Sequence, residues 1–248
     1  MKTTVIVPAY NRPTSLVLAV KSLVAQADSV DLDILIVDDG STDETVDVID
    51  KLVRSLSAVR SVRRENGGVT LARNTGLDHL LADTEIVTFL DSDDAMAEDR
   101  FGTDLALLKA NADVDVTYGN MVTTDHIDPV TLKPSADSLH REITSVHLSC
   151  GLFRRRLIDR IGPFDTALKQ SEDTDYLLRI FESHTNFIQT PTVCHYYLRH
   201  SGNMTKDTEV VRRNFAFAIM KSIQRRRADP TLSLNKPSFQ IDLPLGLM

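Results

Sequence analysis

Along the first 120 residues, short aliphatic and β-branched runs alternate with stretches whose apolar residues recur every three or four positions. Thr4-Val5-Ile6-Val7 reads as a first strand, and Leu16, Ala19, Val20, Leu23 and Val24 carry helical spacing after it. Asp33 to Asp38 (DILIVD) reads as a second strand, followed by a helix from Glu44 to Leu56. Val59 to Val62 is a third, weaker strand, and Val69 to Leu81 a helix. Ile86 to Leu90 is a fourth strand, Phe101 to Ala110 a helix and Val114 to Tyr118 a fifth strand. This alternation predicts an α/β fold: a central, mainly parallel sheet flanked by helices. Ligands of such sheets sit beyond the carboxyl ends of the strands. Three polar clusters fall there: Pro8-Ala9-Tyr10-Asn11, Asp38-Asp39-Gly40-Ser41 and Asp91-Ser92-Asp93-Asp94.

The pattern changes after Tyr118. Residues 121 to 145 are polar and irregular, with Pro129 and Pro134. An apolar segment from His147 to Phe153 precedes an Arg-rich helix, Glu172 to Ser183 is a further helix, and Val193 to Tyr197 a strand. Residues 207 to about 227 form a last helix, and the stretch from Asp229 has three prolines and no periodicity. The expected organisation is one domain over residues 1–228, with a first half (1–120) and a second half (121–228), then a tail over 229–248.

Of the 248 residues, 42% are hydrophobic and 25% charged, which suits a globular protein with a sizeable core. The net charge of -7 disfavours nucleic-acid binding. Cys150 and Cys194 are the two cysteines, too few for a disulfide framework, so a reducing, cytoplasmic setting is expected. The N-terminus lacks the apolar core and cleavage site of a signal peptide. No stretch approaches the apolar length that spans a bilayer.

Carboxylates two residues apart diverge on a straight strand, but at the turn after it Asp91 and Asp93 can approach one hard cation. The alternative is a solvated acidic turn or a helix cap. In the second cluster, Gly40 allows a tight turn and Ser41, Thr42 or Asp43 can cap the helix. Capping does not account for both Asp38 and Asp39, and a carboxylate there can accept hydrogen bonds from a base or a ribose. Asn66-Gly67-Gly68 and Ala72-Arg73-Asn74-Thr75-Gly76 bring a cation to the same edge, where Arg73 can neutralise a phosphate or pair with an aspartate. Glu172 and Asp173 open a helix, either as a macrodipole effect or as a source of a general base. His195 and His200 flank Tyr196-Tyr197-Leu198-Arg199; a lone histidine is most often structural, and His200 looks loop-borne. Neither a GxxxxGK[ST] loop nor a GxGxxG after the first strand occurs, which argues against an ATPase and a dinucleotide-dependent dehydrogenase.

Together these stretches resemble family 2 of the inverting glycosyltransferases, with the GT-A fold, a single Rossmann-like domain. The matching segments are Val5 to Arg12, Ile36 to Asp43, Asn66 to Gly68, Ala72 to Gly76, Phe89 to Asp94, Gly162-Pro163-Phe164-Asp165, Glu172-Asp173 and Tyr197 to His200, within residues 3–205. The resemblance implies that Pro8, Ala9, Tyr10, Asn11 and Arg12 line the nucleotide site, with Asp39 on the base and Asp38 beside it. It implies Arg73, Asn74 and Ser92 near the donor. Asp91 and Asp93 would be the metal-binding Asp-x-Asp, Asp93 the more direct ligand to Mn2+ or Mg2+, and His200 an assisting ligand. Asp173 would be the general base. Pro163 stands where glycine is common. The QxxRW motif of the membrane-embedded processive synthases is absent, and the chain ends soon after its last helix, so a single-sugar transfer is expected.

The implied reaction moves one sugar from a nucleotide-sugar, UDP-linked in the first instance, to a saccharide or lipid-linked acceptor in bacterial surface-polysaccharide synthesis. Two alternatives stand beside it: a sugar nucleotidyltransferase, and a non-catalytic nucleotide-sugar-binding module. Residues 206–227 mix Arg and Lys with Phe215, Phe217, Ile219 and Ile223, so peripheral contact with the inner face of a membrane competes with packing on the domain. A homodimer completes the expected partners.

Overall fold

The computed structural model describes residues 1–200 and 208–240. The sheet opens with β1 (Thr3–Ala9), β2 (Leu32–Asp38), β3 (Val59–Arg63) and β4 (Ile86–Phe89), which lie parallel in the order β3-β2-β1-β4. Between them run α1 (Pro13–Val24), α2 (Thr45–Ser55) and α3 (Val69–Asp78). Both faces are covered, and the strands show it. Ile6, Leu35, Val37 and Phe89 enter one core, while Val5, Val7, Ile34 and Ile36 enter the other with Leu16, Val20 and Leu23 of α1. Burial on both sides is why these strands read as unbroken apolar runs. Gly76 lets α3 lie close on β1, because a Cβ there would meet Ile6 Cγ2 at 2.5 Å.

Beyond β4 the sheet becomes mixed and continues β8-β6-β9-β5. The added elements are β5 (Ala95–Met96), α4 (Arg100–Ala110), β6 (Val116–Thr124), β7 (His140–Ile143), a 3-10 turn (Leu148–Cys150), β8 (Gly151–Arg154), α5 (Arg155–Ile161), α6 (Glu172–Glu182), β9 (Phe187–Leu198) and α7 (Thr208–Ala228). Residues 121–145, expected to be irregular, hold the second half of β6 and all of β7. Pairing with β7 and β9 satisfies the β6 backbone on both edges, so polar Asn120, Thr123 and Thr124 stay in the ladder. β6 therefore runs across residue 120, where two halves were expected to meet. The expected tail is partly folded. Phe239 packs edge-on to Tyr118 and Phe181, and the Gln240 amide nitrogen donates to Thr144 O at 2.8 Å. Residues 241–248 lie outside the described residues.

Candidate active site

The carboxyl ends of β1, β2 and β4 and the start of α6 meet on one edge, and each contributes residues singled out above. At the end of β1, Asn11 adopts a left-handed backbone (φ 51°), a conformation short polar side chains tolerate. Its N–H donates to Ser41 Oγ at 3.1 Å and its Oδ1 accepts from Thr42 N at 2.9 Å, so the β1 and β2 loops hold each other. Tyr10 projects from this corner 45% exposed, while Ala9 is buried. Arg12 leans towards β4, its Nη2 3.7 Å from Asp93 Oδ2.

Asp38 and Asp39 are both buried. Asp38 Oδ1 accepts the Ser41 N–H at 2.8 Å. The Asp39 carboxylate accepts Gly68 N at 2.7 Å and Gly67 N at 3.2 Å and is ion-paired with Arg64. Gly40 sits at φ 77°, and a Cβ there would come within 2.7 Å of Asn66 N, so only glycine lets the two loops close. Asn74, expected near the donor, spends its amide on the Phe164 backbone: Oδ1 accepts Phe164 N at 2.7 Å and Nδ2 donates to Phe164 O at 3.0 Å.

Arg73 is 4% exposed and joins two carboxylates far apart in sequence. Its Nη2 donates to Asp91 Oδ1 at 2.7 Å and its Nη1 pairs with Glu172. One guanidinium cannot neutralise Asp91, Glu172 and the nearby Asp173 together. The most buried carboxyl yields: desolvation, opposed by Arg73 and aided by Asp173, pushes Glu172 up to about 7. At Asp91 burial acts in the same direction, but Arg73 and His147 outweigh it and hold its carboxyl below the usual range. Asp173 is half-buried, and its Oδ1 accepts Thr174 N at 2.6 Å. It lies in the first turn of α6 with Glu172 and Asp175, where the helix favours negative charge.

After β4, Ser92 is buried and Asp93 is 19% exposed at its side chain. Asp93 Oδ2 lies 3.0 Å from His200 Nε2. Residues 201–207, which include the rest of the expected His200 loop and Lys206, lie outside the described residues. Asp94 is fully buried, with Oδ1 accepting Leu198 N at 3.0 Å. Burial, with Asp93 and Asp91 adding to it, drives the Asp94 carboxyl well above its ordinary range. His195, on β9 opposite Met96, is also fully buried, and burial pushes its pKa well below the usual value. The sequence reading missed Arg64 and His147, whose partners lie far along the chain, and gave Asp94 no role although it stands in the quoted motif.

This is a GT-A arrangement: a mainly parallel first half whose acidic turn faces a carboxylate-bearing helix. Residues 4–162 match the model of Glycosyl transferase family 2, and the chain belongs to that family. GlyG of Streptococcus pneumoniae is 35% identical over 125 residues, 50% of this chain and 40% of the relative. The succinoglycan biosynthesis protein ExoW of Rhizobium meliloti is 30% identical over 191 residues, 68% of this chain and 59% of the relative. A GalNAc(5)-diNAcBac-PP-undecaprenol β-1,3-glucosyltransferase of Campylobacter jejuni is 36% identical over 121 residues, 48% of this chain and 38% of the relative. The chain thus spans less than two-thirds of the length of these relatives. Among solved structures, residues 1–349 of S. aureus TarS with UDP-GlcNAc superpose with a TM-score of 0.72 at 22% identity, over 92% of this chain and 68% of that one. The mannosyltransferase PcManGT of Pyrobaculum calidifontis, with GDP-Man and Mn2+, gives 0.65 at 21% identity, over 92% of this chain and 64% of that one.

Proposed function

We propose that this chain transfers a single sugar, with inversion, from a UDP-sugar to an acceptor hydroxyl, with Mn2+ at Asp93 and His200 or Mg2+ held through the Asp93 oxygens. The observation that carries this reading is the meeting of Asp93, His200 and Arg12 at the end of β4, joined through Asp91, Arg73 and Glu172 to the helix turn that bears Asp173. The donor atoms fit the ion. Asp93 Oδ2 and His200 Nε2, hydrogen-bonded at 3.0 Å, would offer the ion one oxygen and one nitrogen. Such ions complete their shell with water and substrate phosphate oxygens. When bound, the ion supplies Lewis-acid neutralisation of the departing diphosphate.

The remaining work falls to the chain. Pro8 to Arg12 and the Asp38–Asp39 corner line the nucleotide, with Tyr10 as an exposed aromatic surface and Asp39 fixing the glycine loop beside the base. Arg73 orients Asp91 towards the donor. Asp173 takes the proton of the acceptor hydroxyl as that oxygen bonds to the anomeric carbon. The bond from that carbon to the diphosphate oxygen breaks, and the nucleoside diphosphate leaves. A single displacement inverts the anomeric centre.

A lipid-linked acceptor is supported by the name of the Campylobacter relative and by the exposed face of α7. That face presents Arg212, Arg213 and Arg227 beside Phe217, Met220 and Ile223, a mixture suited to an anionic bilayer. No helix among the described residues is long and apolar enough to cross a membrane. On the strength of the exposed α7 face, peripheral attachment at the cytoplasmic face completes the proposal. The test is a panel of nucleotide sugars incubated with the full chain and Mn2+, with released nucleoside diphosphate as the readout. Release from a UDP-sugar is expected. Binding of a nucleotide sugar with no turnover on any acceptor would favour a non-catalytic module.

A further inference from the structure

We propose that Asp94, His147 and His195 form a second, buried metal site, of the zinc class, behind the Asp91–Asp93 edge and separate from the Asp93–His200 pair. Three distant segments deliver these residues: the turn after β4, the approach to the 3-10 turn, and β9. One ligand atom from each lies within 4.8 Å of the other two. Asp94 Oδ2 and His195 Nε2 are 3.8 Å apart, and the two imidazole rings lie 4.5 Å apart at their centroids, tilted by 31°.

The polar atoms that point inward are unaccounted for. Asp94 and His195 are fully buried, and among the described residues Asp94 Oδ2 and both ring nitrogens of His195 have no hydrogen-bond partner. Buried polar groups are nearly always satisfied, and leaving three unpaired in one place is costly. A gap of 3.8 Å is too long for the carboxylate and the imidazole to satisfy each other. It is close to what a shared ion requires: ligands about 2.0 to 2.1 Å from a tetrahedral zinc lie about 3.4 Å from one another. The other Asp94 oxygen is held by Leu198 N, which fixes the carboxylate plane. His147 Nδ1 accepts the Ser149 N–H at 3.3 Å, a long contact that ligation at either ring nitrogen would release.

The donor set selects the ion. Two imidazole nitrogens and one carboxylate suit zinc and its neighbours, whereas Mg2+ prefers oxygen alone. His147 Nε2 lies 3.7 Å from Asp91 Oδ2, so an ion here would brace the donor-side turn from behind and tie β9 to it.

The test is metal binding by the full chain after chelator treatment, read by zinc stoichiometry, by the visible absorption of bound Co2+, and by thermal melting. The wild type should take up one tightly held zinc, show a ligand-field band with Co2+ and melt higher with the metal. Asp93→Asn should keep all three signals. His147→Gln, whose side chain is partly exposed and so perturbs folding least, should bind zinc about tenfold or more weakly, and His195→Gln should lose the Co2+ band. Circular dichroism checks that each variant is folded. Failure of the folded wild type to take up zinc overturns the site, as does uptake that Asp93→Asn abolishes and His147→Gln leaves intact. None of these readouts depends on sugar transfer, so the site and the proposed reaction fail separately.

Discussion

Two acidic turns follow the parallel strands on either side of β1, and they differ in what their carboxylates are spent on. After β2, Asp38 and Asp39 turn inward and are consumed by Ser41 N, Gly67 N, Gly68 N and Arg64. After β4, Asp91 and Asp93 stay partly exposed and face cations and imidazoles: Arg73, Arg12, His147 and His200. The first turn builds a loop, and in the proposed reaction the second keeps oxygens for the ion and the donor. Two aspartates at the end of a buried strand therefore do not define a role. What decides it is whether backbone N–H groups from the next loop reach them first.

That difference can be broken from either side. The largest effect is expected on the chemistry that the β4 edge faces. Asp173→Asn should lower turnover about 10²- to 10⁴-fold, the usual range for a positioned base, with donor affinity changed little, measured as steady-state transfer alongside nucleotide binding. The β2 turn should respond in stability. Asp39→Ala leaves two loop N–H groups unpaired and should cost about 1–3 kcal/mol, seen as a drop in Tm by calorimetry. Asp93→Asn should shift Tm less than Asp39→Ala does. Equal losses would erase the distinction between scaffold and ligand-facing turns.

A smaller effect concerns the carboxyl shared through Arg73. Glu172 has a folded pKa raised from 4.5 to about 7, so the folded state holds its proton more tightly than the unfolded chain. Its stabilising contribution is complete below pH 4.5 and is lost as the pH rises through about 7. Glu172→Gln should flatten the pH dependence of stability across that window, and denaturant unfolding at intervals of pH reads it directly. An unchanged slope would mean that Arg73 keeps Glu172 ionised throughout. The smallest effect is expected at α7, where Arg212→Glu with Arg213→Glu should reduce sedimentation with anionic liposomes at low salt. Equal sedimentation of the variant would remove α7 as the contact.

The parallel core was legible because both of its faces are buried, which leaves β1, β2 and β4 as apolar runs with helices spaced between them. β5 was not, since two residues form it and only its pairing with β9 makes it a strand. β6 runs on to Thr124 and β9 starts at Phe187 because each supplies hydrogen bonds to the other, a long-range effect with no local signature. Within the site, motif positions were readable and their pairings were not. Arg73 and Glu172 stand 99 residues apart, and neither neighbourhood marks the other. His195 read as an ordinary structural histidine; its unpaired ring nitrogens appear only once the burial around it is known.

The central claim is that the β4 turn holds the donor through a divalent ion at Asp93 and His200. Calorimetric titration of UDP into the wild type and Asp93→Asn, each with Mn2+ and with chelator, tests it directly. The account predicts that Mn2+ tightens UDP binding to the wild type about tenfold or more, as expected when an ion bridges carboxylate and phosphate, and that Asp93→Asn binds UDP weakly whether or not Mn2+ is present. Equal UDP affinity for the two proteins under both conditions would contradict it.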